Sequence, residues 1–141
     1  MSRKIRETFV LVPLIREKSR HITVRARLAG RPVRLIIDTG AGGSIMDSAA
    51  AARYQLKLRS RSSKAVGVGA GVLSMSSVAR HGLTLAGIDL SRTSLHTIDL
   101  SHVNAGLKKA EVRPVVGVIG ADVLWRYEAV IDYGKMRLSV R

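Results

Sequence analysis

The chain has 141 residues, no cysteine, and 24 Lys and Arg against 10 Asp and Glu, a formal net charge of +14. That length leaves room for one domain with a genuine core, and the composition excludes a fold held by disulfides or by thiolate-bound metal. No apolar run approaches the roughly twenty residues that a bilayer requires, which excludes a spanning helix.

Aromatic residues are few, only Phe9, Tyr54, Trp125, Tyr127 and Tyr133. The core must therefore come from Val, Ile, Leu and Ala, which favours strands. His21, His81, His96 and His102 lack metal-ligand spacing and read as surface or loop residues, so no metal is expected. Much of the positive charge lies early, at Arg3, Lys4, Arg6, Arg16, Lys18, Arg20, Arg25, Arg27, Arg31 and Arg34. Such a surface attracts nucleic acid, anionic lipid or acidic substrates by long-range steering. With no aromatic interleaving or nucleic-acid motif beside it, a solvated basic face is the simpler reading.

Residues 1–8 form a basic N-terminal extension. Phe9 to Ile15 follows it as the apolar stretch of a signal peptide would, but Pro13 interrupts it and Glu7 precedes it. Ile15-Arg16-Glu17-Lys18 offers no small-residue cleavage site, so the segment reads as a first strand and a cytoplasmic location is expected. His21 to Leu28 alternates with period two, Ile22, Val24, Ala26 and Leu28 facing one way and His, Thr and Arg the other. Ala29-Gly30-Arg31-Pro32 turns the chain, and Val33 to Ile37 returns as a second strand that ends in Asp38. A buried strand closing on a carboxylate needs a reason, because ionised carboxylates are seldom buried unless paired. Asp38 either caps the following turn, as D-x-G sequences do, or performs chemistry. Gly40, Gly42 and Gly43 let the backbone turn sharply and approach a ligand or a second chain.

Asp47 to Leu56 reads as a short helix with Asp47 as its N-cap, and Arg59 to Lys64 as a basic, Ser-rich loop. Val66 to Val72 alternates glycine with apolar residues. No helix opens after those glycines and no Gly-Lys-Ser/Thr closes them, so a flexible hairpin is favoured over a phosphate loop. Leu83 to Leu90 forms another hairpin, Thr93 to Ile98 a strand, and the polar stretch Ser101 to Arg113 a loop. Val115 to Ile119 is a strand before a turn at Gly120. Asp122 to Arg126 is a short helix in which Asp122 offsets unpaired N–H groups, a structural carboxylate rather than a catalytic one. Ala129 to Asp132 and Met136 to Val140 make the last hairpin.

Taken in order, Leu35-Ile36-Ile37-Asp38-Thr39-Gly40-Ala41, the glycine-rich hairpin, Val118-Ile119-Gly120-Ala121-Asp122-Val123-Leu124 and Val130-Ile131-Asp132-Tyr133 resemble the retropepsin-like aspartic proteases in their single-domain bacterial form. The resemblance runs from about Phe9 to Val140. It implies an all-β fold, a retropepsin-like closed β-barrel or acid-protease lobe with one or two short helices, as a single domain over residues 1–141. It also implies an aspartic endopeptidase without a cofactor. Asp38 would be the catalytic carboxylate, Thr39 would hydrogen-bond across a dimer axis, and Gly40 would place an N–H beside the carboxylate. Ala41 and a flap formed by Val66, Gly67, Val68, Gly69, Ala70 and Gly71 would bind an extended peptide or protein substrate, with Val118 and Ile119 lining apolar side-chain pockets.

Hydrolysis of this kind needs two facing carboxylates that share one proton, one acting as base and the other as acid. The chain supplies one Asp-Thr-Gly. Val130-Ile131-Asp132-Tyr133-Gly134 repeats the pattern superficially, but Tyr133 stands where a small hydroxyl residue is needed and too little chain follows for a second lobe. The resemblance therefore implies a homodimer with one Asp38 from each subunit, touching at the Asp38 loop and the terminal strands. Viral members commonly carry Arg at the position of Ala121, so the resemblance does not extend to the ion pairs that support their dimer. The alternative is a retropepsin-fold dimer that no longer cleaves and binds peptide, or nucleic acid through its basic face.

Overall fold

The computed structural model describes residues 8–65 and 73–141. The N-terminal half gives β1 (Val10–Arg16), β2 (Ile22–Leu28), β3 (Arg31–Ile37), β4 (Ile45–Asp47), α1 (Ser48–Arg53), β5 (Leu58–Ala65) and β6 (Leu73–Val78). After these come β7 (Thr84–Leu85), β8 (Ile88–Asp89), β9 (Leu95–Ile98), α2 (Ser101–Lys109), β10 (Gly117–Ile119), α3 (Ala121–Arg126), β11 (Val130–Asp132) and β12 (Arg137–Val140). The strands pair in the order β11-β12-β1-β2-β3-β10-β4-β9-β6-β5, with β7 on β2 and β8 on β7. The all-β class stands; among the described residues the sheet is open, with β11 and β5 at its two ends, rather than a closed barrel.

The β2–β3 hairpin is the most regular part. Its two-residue turn, Ala29 and Gly30, has φ of 50° and 74°, the left-handed geometry whose twist matches that of paired strands. Register runs from Thr23 opposite Ile36 to Leu28 opposite Arg31, and the alternation buries Val24, Ala26, Leu28, Val33 and Leu35. On its other edge β3 runs parallel to β10, with Leu35, Ile36 and Ile37 opposite Gly117, Val118 and Ile119. A parallel neighbour cannot be reached by a tight turn, and here the intervening chain from β4 through α2 makes the crossover. The main core joins Val24, Leu28, Leu35, Leu83, Leu95, Ile119 and Leu138. A smaller cluster of Ile36, Leu107, Val112 and Val115 is separate from it.

Three expectations are corrected. Ser101 to Arg113 contains the helix α2, not only loop. Its polar composition hides one buried anchor, Leu107, and a half-buried one, Asn104, whose side-chain amide donates to Val115 O at 3.0 Å while its oxygen accepts the Val115 N–H at 2.8 Å. Arg59 to Lys64 is not a loop but most of β5, paired antiparallel with β6; backbone pairing forms this strand without any apolar alternation to announce it. His81 is not a surface residue: it is 2% exposed, its Nε2–H donating to Thr93 O and its Nδ1 accepting the Leu83 N–H. The N-cap reading of Asp47 holds. Its Oδ1 accepts the Ala49 N–H and also the Leu100 N–H, tying α1 to the approach to α2.

Asn104→Ala is expected to lose about 1–3 kcal/mol, because it leaves both polar groups of the Val115 backbone without their partner. A lower urea midpoint at unchanged m-value is the measurement that checks it.

Candidate active site

Because β3 and β10 run parallel, their C-terminal ends arrive side by side. Asp38 follows the last residue of β3, and its N–H continues the ladder by donating to Ile119 O at 3.0 Å. The chain then turns: Ala41 N–H donates to Asp38 O at 3.2 Å, and Gly40 N–H donates to Asp38 Oδ1 at 2.9 Å. One carboxylate oxygen is thus held by the turn. The other has no partner among the described residues, and the side chain is exposed. Capping the turn and remaining available for chemistry are compatible roles.

The loop is clamped from β10 and α3. Ala121 N–H donates to Ala41 O at 2.7 Å. The Ser44 hydroxyl, fully buried, accepts the Gly120 N–H at 2.9 Å and donates to Asp122 Oδ1 at 2.7 Å, which also accepts the Val123 N–H. Asp122 is therefore both a helix-terminal and a loop-holding carboxylate. Side chains are excluded where the backbones meet: a Cβ at Gly120 would lie 2.5 Å from Ala41 O, and one at Gly117 would collide with Ile45 O.

Two clefts flank this loop. On one side a cleft of about 270 Å³ places Asp38 beside Arg20, His21, Ile36 and Tyr133. On the other, a cleft of about 160 Å³ is bounded by Thr39, Leu124, Trp125 and Ile131. Trp125 is 82% exposed, and Val130 and Tyr133 are also exposed. Thr39 has no hydrogen-bond partner for its hydroxyl among the described residues.

The site residues expected from sequence are only partly brought together. Asp38, Thr39, Gly40 and Ala41 form one turn, with Val118 opposite Ile36 beside it. Ile119 does not line a substrate pocket: it is 1% exposed in the main core, since adjacent residues of a strand face opposite ways. Ala41 has its N–H committed to Asp38 O and its carbonyl to Ala121, which limits the strand-like pairing expected of it. Val66, Gly67, Val68, Gly69, Ala70 and Gly71, assigned to the flap, lie outside the described residues. Asp132 caps the terminal turn by accepting the Lys135 N–H. No group of His, Asp and Glu among the described residues is placed to hold a metal ion. Ser44, Gly117 and Trp125 had no role in the sequence reading; their importance depends on contacts distant in the chain.

The sequence model of the aspartyl protease family matches residues 24–123. No curated protein matches the chain in sequence. Among solved structures, the chain is similar to a retropepsin-like aspartic protease from Rickettsia conorii, at 14% identity and a TM-score of 0.59, over 94% of this chain and 89% of that one. It is also similar to the retroviral protease-like domain of Ddi1 from Leishmania major, at 20% identity and a TM-score of 0.56, over 93% and 89% of the two chains. At these identities the likeness is one of fold.

Ser44→Ala is expected to cost about 1–3 kcal/mol, because the Gly120 N–H and Asp122 carboxylate lose a buried partner. Chemical denaturation compared with Ser48→Ala, an exposed serine at the start of α1, separates this loss from a general effect of removing a hydroxyl.

Proposed function

The chain belongs to the aspartyl protease family, and on that premise we propose that it is an aspartic endopeptidase, active as a homodimer to which each copy contributes Asp38. The observation that carries this reading is the exposed Asp38 carboxylate, set at the joined ends of β3 and β10 and anchored through one oxygen only. Two such carboxylates brought face to face cannot both ionise, so one proton is shared between them. The ionised partner takes a proton from water as it attacks the peptide carbonyl; the protonated partner supplies one to the departing amide nitrogen. Gly40 N–H fixes the carboxylate orientation, and Ser44, bonded to Asp122 and to the Gly120 N–H, braces the turn from the other side.

A two-fold partner would meet a surface suited to it. Thr39 and Trp125 border the same cleft, the Thr39 hydroxyl is available for a bond across the axis, and an indole exposed to this degree is an anchor of the kind that dominates interfaces. An extended peptide would lie in the cleft beside Asp38, with the half-buried Val118 of β10 offering apolar surface nearby. One domain over residues 1–141 suffices for each half of such an enzyme.

Asp38→Asn is expected to lower peptide cleavage by about 10²- to 10⁴-fold or more, with sedimentation and melting temperature close to wild type. Cleavage at the wild-type rate would remove Asp38 from the mechanism. Trp125→Ala is expected to weaken association by about 2 kcal/mol or more, so that activity falls at low protein concentration and recovers as concentration rises. Unchanged sedimentation in that variant would place the interface elsewhere.

A further inference from the structure

One face of the β2–β3 hairpin, exposed towards its turn, carries an arrangement that peptide cleavage does not use. Arg25 and Arg34 stand directly opposite each other in the antiparallel register, and Arg27 follows two residues on, opposite Pro32. Like charges in that position are destabilising. Glu17 offsets part of the cost by pairing with Arg34 at 2.7 Å. Arg25 has no such relief. Arg53, at the end of α1, and Arg113, after α2, converge on the same place, so that a cleft of about 330 Å³ is bounded by Arg25, Arg34, Arg53, Arg113 and the half-buried Tyr54. Arg25, Arg53 and Arg113 have no carboxylate partner among the described residues. A second cleft, of about 290 Å³, shares Arg25 and Pro32 with the first and adds Arg27, whose guanidinium donates only to the Gly30 carbonyl. No acidic residue lines either cleft.

We propose that these two abutting clefts form a binding groove for single-stranded nucleic acid, with phosphates held by the arginines and a base against the Tyr54 ring. Three features favour this ligand over other anions. Every cation lining the clefts is a guanidinium, whose planar fork engages phosphate oxygens in pairs where an ammonium acts as a point charge. The cations extend across two clefts that share Arg25 and Pro32, a run that suits a chain of phosphates better than a lone anion. Tyr54 places an aromatic ring among the lining residues, and stacking on an aromatic face tolerates any base. An anion would also relieve the repulsion between Arg25 and Arg34 that Glu17 leaves in place. The groove shares no lining residue with the Asp38 cleft, and its occupation does not depend on cleavage.

The test is fluorescence anisotropy of labelled oligo(dT) and oligo(U) on the full chain across a salt series. Arg25→Gln combined with Arg113→Gln is expected to weaken binding about tenfold or more and to flatten the slope of log K against log salt by about 1.4, the loss of two single-strand phosphate contacts. Arg126→Gln combined with Lys135→Gln removes the same charge from exposed positions outside the groove and is expected to stay within about twofold. The melting temperature of Arg25→Gln is expected to equal or exceed wild type, since the substitution relieves a like-charge pair; weaker binding in it is then not a folding defect. Equal losses in the two double variants, or no binding by wild type at low salt, would overturn the proposal. Polyglutamate competing as well as the oligonucleotide would overturn it in favour of an acidic peptide.

Discussion

The parallel pairing of β3 with β10 is the constraint on which the rest of the site depends. It carries the Asp38 N–H onto Ile119 O and brings the Gly120 turn against the Asp38 turn. The two turns are bonded to each other. Ala41 is bonded from Ala121, and Ser44 from Gly120, so a carboxylate at a loop tip is fixed by groups from the far end of the chain. The closeness of these backbones is why glycine stands at 117 and 120, where any Cβ would meet a carbonyl oxygen. Such bracing is what the proposed catalytic carboxylate would require, since a preorganised group reacts without rearranging.

Much of the local architecture was legible in the residues. Period-two alternation gave β2, the turn at Ala29 to Pro32 gave β3 as its returning arm, the Asp47 cap gave α1, and the Asp38 to Ala41 turn could be read because its bonds join near neighbours. What failed was long-range. Helix α2 depends on Asn104 reaching Val115, and β5 on pairing with β6, neither of which leaves an apolar pattern. His81 is buried because a distant carbonyl, Thr93 O, receives its ring N–H. Ser44 and Asp122 lie 78 positions apart, and nothing in either neighbourhood announces the pair. The assignment of Ile119 was a different kind of error. Val118 and Ile119 are adjacent on one strand, so the pleat alone forbids both from facing substrate.

The two surfaces described here are built on the same strand. Arg34 lies four residues before Asp38, about 13 Å along β3, and the same hairpin that delivers the carboxylate presents the arginines. The positive charge of the chain, +14, repels itself in the folded state. Arg25 opposite Arg34 makes one part of that repulsion local.

The central claim is that one active site is made from two copies of Asp38. Wild-type chain refolded together with increasing excess of Asp38→Asn tests it most directly, with peptide cleavage measured at constant wild-type concentration. The account predicts that cleavage falls towards zero as wild-type chains are drawn into mixed dimers holding a single Asp38. Cleavage that stays constant through a large excess, while sedimentation shows mixed dimers, would contradict it and place a complete catalytic centre within one chain.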